Sequence, residues 1–275
     1  MHCCIVGAGE MGRWLGSTLA ADPAFDVSFA DTDPAAADSA ASALGGEAVP
    51  LDPQESSRRF DAVALAVPIP AVAEAVATQA PRADRALLDV TGVMGTALDA
   101  MREHAPDRER LSLHPMFSEA NAPGSIAAVH DAPGAVTDAV RESLDAAGND
   151  LFDTTAADHD DAMETVQAKA HAAVLAYGLA GEAVDPRYHT DVSTAMFDLV
   201  ANVTGGSAHV FGDIQTAFEG ADAVAEAAER IDAARGDPEA FAALYEEAGR
   251  LGDAPTAEDE PEADEAGDAA SESDG

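Results

Sequence analysis

The fold of this protein is decided by a stretch near its N-terminus, CCIVGAGEMG at residues 3–12. An apolar run, Cys3–Val6, leads into the GxGxxG pattern of Gly7–Gly12, and a helical pattern follows. In such a strand–turn–helix unit the first glycine permits a tight turn, the second lets the backbone approach a pyrophosphate, and the third lets the helix pack on the strand. The stretch therefore predicts the first unit of a dinucleotide-binding domain.

An acidic residue lies where such a domain binds the adenosine ribose. Asp31 ends the second apolar run, 19 residues after Gly12, where an acid is expected roughly 20 residues on. Its carboxylate would repel a 2′-phosphate and no Arg follows closely, so NAD is favoured over NADP. The later turn Val67-Pro68 either faces the nicotinamide or simply begins the next helix. The predicted cofactor-binding residues are Gly7, Gly9, Glu10, Met11, Gly12, Asp31, Val67 and Pro68.

Strands and helices alternate through the first 150 residues. The predicted strands are Cys3–Val6, Val27–Ala30, Asp61–Val67, Ala86–Val90, Leu111–His114 and Ile126–Val129. The predicted helices cover residues 11–21, 34–44, 70–79, 96–104 and 135–147. This alternation indicates right-handed βαβ units in an α/β fold, with an N-terminal Rossmann domain built on a doubly wound parallel sheet.

The pattern changes after residue 153. From Asp158 to Gly249 the apolar spacing is helical, which predicts an all-helical C-terminal domain. We expect a Rossmann domain over residues 1–153, a helical substrate and dimerisation domain over 154–252, and a homodimer formed through those helices. Residues 253–275 are acidic and lack large apolar side chains, so we expect a disordered tail.

The composition excludes several kinds of partner. The chain has 52 acidic and 14 basic residues, and its formal net charge is −38. Nucleic acids and anionic membranes bind basic surfaces, so neither is an expected partner. Abundant acids with Lys169 as the only lysine are typical of proteins from very high salt, where a Debye length of about 3 Å or less screens self-repulsion. The hypothesis is that the fold is stable in molar KCl and loses structure in dilute buffer.

The remaining composition is unremarkable for a cytoplasmic protein. Cys3 and Cys4 are adjacent in an apolar run, without a CxxC motif, and are interpreted as two buried thiols. No apolar run approaches the roughly 20 residues that span a bilayer, and no basic segment precedes the first strand. We therefore expect a cytoplasmic protein.

One histidine lies at the expected ligand edge of the sheet. His114, in the segment LHPMF at residues 113–117, ends a predicted strand. A histidine at that edge could accept a proton while a hydride leaves to a nicotinamide. His159 with Asp160 and Asp161 is interpreted as a helix N-terminus rather than a metal site, because no second histidine stands at ligand spacing.

Six segments together resemble the prephenate dehydrogenase family, which includes the arogenate dehydrogenases. They are GAGEMG at 7–12, DAVALAVP at 61–68, DVTGV at 89–93, HPMF at 114–117, HDDAMETVQAKAH at 159–171 and FGDIQ at 211–215. The resemblance covers roughly residues 3–250. It implies oxidative decarboxylation of prephenate or arogenate with NAD in tyrosine biosynthesis. It also implies that His114 hydrogen-bonds the ring hydroxyl and polarises it for hydride departure.

Three departures from the family pattern affect the substrate side. The family's Ser-Val-Lys stands here as Gly92-Val93-Met94, and Thr91 is the candidate to supply the missing hydroxyl. HPMF continues as Ser118-Glu119 rather than Gly-Pro. A family arginine aligns with Ala170, which leaves the neighbouring Lys169 as the candidate cation for a substrate carboxylate. With His171, matching the family's VQxxxH histidine, the predicted substrate-binding residues are Thr91, Gly92, Lys169 and His171.

Two alternatives remain open. Another Rossmann-plus-helical NAD(P) oxidoreductase, such as a 3-hydroxyacid dehydrogenase, would use a lysine of the helical domain, and Lys169 fits that role. A non-catalytic NAD-binding regulatory protein would explain the missing Ser, Lys and Arg. A surface position for Lys169 and a packing role for His171 are also compatible with the sequence.

Overall fold

The computed structural model describes residues 1–251. Its contacts divide the chain into two compact units, one from Met1 to Ala223 and one from Val224 onwards. The predicted disordered tail, residues 253–275, lies outside the described residues. The predicted domain boundary at residue 153 coincides with the end of the last strand and stays a prediction.

An eight-stranded sheet forms the centre of the first unit. Its strands are β1 His2–Val6, β2 Asp26–Ala30, β3 Glu47–Ala48, β4 Phe60–Leu65, β5 Ala83–Asp89, β6 Glu109–Pro115, β7 Ser125–Ala132 and β8 Asp150–Asp153. Their order is β3-β2-β1-β4-β5-β6-β7-β8. The order reverses between β1 and β4, so the carboxyl ends of these strands form the crevice in which doubly wound sheets bind ligands.

The sheet confirms the predicted α/β class with one departure from a purely parallel arrangement. β7 runs antiparallel to β6, whereas the other neighbouring strands pair in parallel. Only residues 116–124 connect β6 to β7, and a parallel crossover needs a dozen residues or more. The prediction also missed β3, which has two residues, and β8, whose sequence DLFD is half acidic.

Five α-helices flank the sheet, and six α-helices, a π-helix and the short 3-10 helix Pro186–Tyr188 follow it in the described chain. The flanking helices are α1 Glu10–Ala21, α2 Pro34–Leu44, α3 Val72–Gln79, α4 Met94–His104 and α5 Ala135–Ala146. The later segments are α6 Ala156–Met163, a π-helix Glu164–Lys169, α7 Ala170–Ala180, α8 Asp191–Gly205, α9 Ala208–Ala217, α10 Gly220–Ala233 and α11 Pro238–Gly249. None of the helices in residues 1–251 combines the length and the hydropathy that a membrane span requires.

Buried apolar side chains lie on both faces of the sheet. One cluster joins Ile5, Leu15 and Phe29 to α5, and the other joins Val63, Leu87 and the apolar side of α4. Cys3 and Cys4 point into opposite clusters and are buried, as predicted. Burial raises the pKa of both thiols, that of Cys4 to about 11, so neither is ionised near neutral pH.

The helices after β8 bury far less. Met163, the last residue of α6, is buried, but Val166, three positions on, is 59% exposed. Val166 lies within the π-helix, whose wider turn departs from the 3.6-residue period of an α-helix. In the second unit, α10 and α11 carry an ion pair between Arg230 and Glu247.

Candidate active site

The three glycines of the first turn differ in why a side chain is absent there. Gly7 has a φ of +104°, and a Cβ there would overlap the carbonyl oxygen of Ala66. A Cβ at Gly12 would overlap the carbonyl oxygen of Gly7. Gly9 has a φ of −71°, and a Cβ there would meet no atom within 4 Å among the described residues. The chain's own packing thus explains Gly7 and Gly12, whereas Gly9 leaves room outside the turn.

A cavity of about 770 Å³ opens at the carboxyl ends of β1, β2 and β4. Five of the predicted cofactor-binding residues line it, namely Gly7, Gly9, Asp31, Val67 and Pro68. Asp52 and Glu74 add two carboxylates to that of Asp31, and the described lining contains no basic side chain. The cavity can hold an adenosine half that carries free ribose hydroxyls, and its charge disfavours a 2′-phosphate.

Asp31 and the predicted cofactor-binding residues outside the cavity lining lie around the turn. Asp31 accepts hydrogen bonds from the backbone N–H groups of Ala8, at 2.6 Å, and Asp33, at 2.8 Å. Glu10 begins α1 and accepts the backbone N–H of Glu119, at 2.9 Å. Met11, the second residue of α1, packs against the core cluster that contains Ile5 and Leu15. The carboxylate of Asp31 thus holds the glycine turn directly.

His114 is buried at the end of β6, with 8% of its surface exposed. Its Nδ1 lies 2.8 Å from Nε2 of His159, and its Nε2 lies 3.3 Å from Nε2 of Gln167. A Cβ on Gly92 would come 3.2 Å from His114 Nε2, so only a glycine leaves this side of the ring uncovered. The structure therefore brings together two of the predicted residues, His114 and Gly92.

The burial of His114 decides its protonation state. Desolvation, followed by the positive charge that His159 can carry, lowers the pKa of His114 to about 4. His114 is therefore a neutral imidazole near pH 7, with one nitrogen that donates and one that accepts a hydrogen bond. A neutral ring can accept a hydrogen bond from a substrate hydroxyl.

Thr91 is held by a buried acid at the end of β5. Its hydroxyl donates to Asp89 Oδ2 at 2.7 Å, and its backbone N–H donates to the same oxygen at 3.1 Å. Complete burial raises the pKa of Asp89 to about 6. Because the Thr91 hydroxyl donates its hydrogen bond to Asp89, its oxygen can only accept a further one.

The π-helix carries the other predicted substrate residues. Lys169 forms an ion pair with Glu164, Nζ to Oε1, at 2.7 Å. His171 packs edge-on against Phe211, with ring centroids 4.5 Å apart, and its buried Nδ1 has no hydrogen-bond partner among the described residues. Within residues 1–251 the structure gives neither Lys169 nor His171 a hydrogen bond or ring contact with His114.

The FGDIQ segment supports the π-helix from outside. Gln215 donates from Nε2 to the carbonyl oxygen of Ala168 at 2.8 Å. A Cβ on Gly220 would overlap the backbone of Ala168, so α10 begins directly against the π-turn. These two contacts hold the turn from which Gln167 reaches His114.

Three residues of this site were not predicted from the sequence, namely His159 and Gln167, which contact His114, and Asp160, which contacts His159. His159 is 45 positions from His114, and Asp160 binds the N-terminus of α4, so both contacts are tertiary. The sequence does contain a signal, the segment HDDAMETVQAKAH at 159–171, but its first two residues also fit a helix N-terminus.

Comparison with known proteins identifies relatives over most of the chain. A family model described as the nucleotide-binding domain of prephenate dehydrogenase matches residues 20–131. A 4-amino-4-deoxyprephenate dehydrogenase of Streptomyces pristinaespiralis is 33% identical over 267 residues, which cover 90% of this chain and 89% of the relative.

Two solved structures share the fold at low sequence identity. Prephenate dehydrogenase of A. aeolicus, in complex with hydroxyphenyl propionate and NAD+, has a TM-score of 0.69 and 15% identity, covering 92% of this chain and 98% of that one. Synechocystis arogenate dehydrogenase has a TM-score of 0.58 and 16% identity, covering 92% and 99%. With the identity to the Streptomyces relative, these findings show that the chain is a dehydrogenase that belongs to the prephenate dehydrogenase family.

Proposed function

We propose that this protein is an NAD-dependent dehydrogenase that oxidises and decarboxylates prephenate or arogenate in tyrosine biosynthesis, in a high-salt cytoplasm. The observation that carries the proposal is His114, a buried neutral imidazole whose Nε2 faces Gly92 and Gln167. A neutral acceptor at the ligand edge of a dinucleotide-binding sheet suits oxidation of a carbon that bears a hydroxyl group.

The glycine turn and the cavity beside it fit NAD. The space outside Gly9 suits a pyrophosphate, which the N-terminus of α1 would stabilise. Asp31 would accept hydrogen bonds from the ribose hydroxyls, and Asp52 and Glu74 add to the repulsion of a 2′-phosphate. A bound NAD would supply the acceptor for the hydride that leaves the ring carbon.

His114 would hold the hydroxyl proton during the reaction. Its Nε2 accepts the hydrogen bond of the ring hydroxyl and takes the proton as the hydride leaves and a carbonyl forms. Loss of CO2 then leaves an electron pair in the ring, which becomes aromatic, and the proton returns to the ring oxygen. The proton is conserved, so the enzyme needs only a group that takes it and gives it back.

The substrate carboxylates need cationic or hydrogen-bonding partners in this acidic chain. We propose His171, which matches the family's VQxxxH histidine, and Lys169 for this role, whereas Thr91 donates its proton to Asp89 and would accept a hydrogen bond from a donor group of the substrate. Lys169 would have to exchange its bond to Glu164 for one to the substrate, whereas the unpartnered Nδ1 of His171 among the described residues needs no such exchange.

A second candidate substrate follows from the Streptomyces relative, which is named for 4-amino-4-deoxyprephenate. In that compound an amino group replaces the ring hydroxyl. The same neutral Nε2 of His114 could accept a proton from the amino group while the hydride leaves. Relative turnover of the hydroxyl and amino substrates therefore distinguishes the two candidates.

We also propose that the protein forms a homodimer through its helical part. Several large apolar side chains of α7, α8 and the segment between them are exposed. They include Leu179 at 87%, Tyr188 at 77% and Val192 at 75% exposure. A second copy of the chain would cover such a surface.

The proposal is tested by NADH formation with purified protein in about 2–3 M KCl, which screens the acidic surface. The substrates are prephenate, arogenate, 4-amino-4-deoxyprephenate and a set of 3-hydroxyacids. Turnover with prephenate or arogenate is expected. Turnover with 3-hydroxyacids alone, or NAD binding without turnover of any of them, would contradict the proposal and support one of the two alternatives.

A further inference from the structure

Three side chains form a hydrogen-bonded line that ends at the substrate side of His114. Asp160 Oδ1 lies 2.8 Å from His159 Nδ1, and His159 Nε2 lies 2.8 Å from His114 Nδ1. His159 is only 3% exposed, so water has little access to its ring nitrogens. The two imidazole rings meet edge-on, with an angle of 75° between their planes.

The carboxylate at the far end sets the direction of these bonds. Asp160 accepts the backbone N–H groups of Met94, at 3.1 Å, and Gly95, at 2.9 Å, at the N-terminus of α4. Although partial burial opposes ionisation, the hydrogen bonds from His159, Gly95 and Met94 hold the pKa of Asp160 below its usual value. Asp160 is therefore an ionised acceptor, and Nδ1 of His159 donates to it.

The donor and acceptor roles then follow along the line. Between two neutral rings, a His159 that donates from Nδ1 has its lone pair on Nε2, so it accepts a hydrogen bond from Nδ1–H of His114, whereas a doubly protonated His159 would reverse this bond. His114 is in turn left with its lone pair on Nε2, the nitrogen that faces Gly92 and the amide of Gln167. That is the nitrogen on which a substrate hydroxyl can place its proton.

We propose that Asp160 and His159 are positioning residues that fix the proton-accepting tautomer of His114 and share its charge during the reaction. This inference rests on the proposed role of His114 and extends it to two residues. As Nε2 of His114 gains the substrate proton, the proton on its Nδ1 shifts toward Nε2 of His159, and the positive charge faces the Asp160 carboxylate. Both shifts reverse when the proton returns to the ring oxygen.

A purely structural role predicts different results. Asp160 also binds the N-terminus of α4, so its loss would lower stability in either case. The tautomer of His114 and the turnover number at saturating substrate report the positioning role separately. The variants are Asp160→Asn, which removes the charge, and His159→Gln, which leaves the bonds from Asp160 to α4 intact. Asp161→Asn is the matched control, since Asp161 is exposed on the same helix turn.

The first measurement is the ¹⁵N spectrum of the histidines in the full-length protein in molar KCl, which reports the tautomer without any substrate. Wild-type His114 is expected to be protonated at Nδ1 with a bare Nε2, and Asp160→Asn is expected to raise the population of the opposite tautomer. Protonation of wild-type His114 at Nε2, or an unchanged spectrum in Asp160→Asn, would overturn the proposal.

The second measurement is kcat and KM for the substrate that turns over best. Asp160→Asn should lower kcat by about 10²–10⁴-fold, the range reported for a wrong histidine tautomer or a lost general base, with KM little changed. His159→Gln should lower kcat although its side-chain oxygen can still accept from Nδ1 of His114. Values of kcat equal to that of Asp161→Asn for both variants would overturn the proposal. If the wild-type protein turns over no substrate, the proposed function fails, and the ¹⁵N spectrum still decides the tautomer.

Discussion

The sheet region and the helices that follow it differ in how much apolar surface they cover. The helix α4 buries five residues against the sheet, whereas α7 buries one and α8 buries none. The sheet region thus contains its own core, and α7 and α8 present their apolar side chains outward. The candidate active site lies where the two meet, since β6 carries His114 and α6 and the π-helix supply its neighbours. The well-packed sheet region therefore carries His114, and the less buried helices that follow it supply the residues around its ring.

The largest expected effect comes from the glycine turn of the sheet region. Gly7→Ala places a side chain at a φ of +104° and against the carbonyl of Ala66, so it should destabilise the fold by about 4 kcal/mol. Gly9→Ala meets no atom within 4 Å in the described chain, so the fold should keep its stability and bind NAD more weakly. Denaturant unfolding in molar KCl and NAD titration measure the two effects. Equal destabilisation by both variants would contradict this distinction.

A pH series tests whether His114 is shielded from solvent where the sheet region meets the helices that follow it. The pKa of His114 is about 4, against an ordinary value of 6.5, so the unfolded chain takes up this proton first as the pH falls. Stability from the buried neutral ring is therefore complete above pH 6.5 and is lost between pH 6.5 and 4, by about 3 kcal/mol. The check is the unfolding free energy of the wild type minus that of His114→Asn, measured from pH 7 to 4. A constant difference would show that the ring is solvated.

The exposed surface of the helical region should support association. Leu179→Ser removes an 87% exposed apolar side chain, so the monomer should fold normally while dimerisation weakens by about 1.5–3 kcal/mol. Sedimentation at several protein concentrations measures the change. Thr204→Ser on α8 is a mild control, because it keeps the hydroxyl that bonds Val200. A wild-type protein that stays monomeric at high concentration would contradict the proposed homodimer.

The smallest expected effect concerns the support of the π-helix. Gln215→Leu removes one hydrogen bond to the Ala168 carbonyl and should cost about 1 kcal/mol of stability. Because Gln167 lies in the same π-helix and contacts His114, kcat should fall modestly. The affinity for NAD should stay unchanged. Thr216→Val is the neighbouring control, since its hydroxyl bonds only Gly212 within its own helix. A loss of NAD affinity in Gln215→Leu would show that the π-helix also affects the NAD-binding part of the site.

Local sequence patterns predicted the sheet region well. The glycine spacing, the apolar runs and the alternation with helices are local signals, and the strands and helices lie within a few residues of the predicted bounds. The strand β7 was predicted, but its antiparallel direction was not, although the short connection of residues 116–124 contained the reason. The strand β3 was missed because two residues carry no period.

The surroundings of His114 could not be predicted in the same way. The π-helix differs from an α-helix by one residue in a turn, which a 3.6-residue period cannot reveal over six positions. The contact between His114 and His159 joins elements 45 positions apart. Its existence depends on α6 packing against α4, through the bonds that Asp160 makes to Met94 and Gly95.

The central claim, that His114 accepts the substrate proton, is tested most directly by His114→Asn. Asn cannot take up a proton at that position, and it leaves the NAD-binding residues untouched. In molar KCl the variant should bind NAD like the wild type and produce NADH from prephenate or arogenate about 10²–10⁴-fold more slowly at saturating substrate. Full kcat in a folded variant would contradict the account.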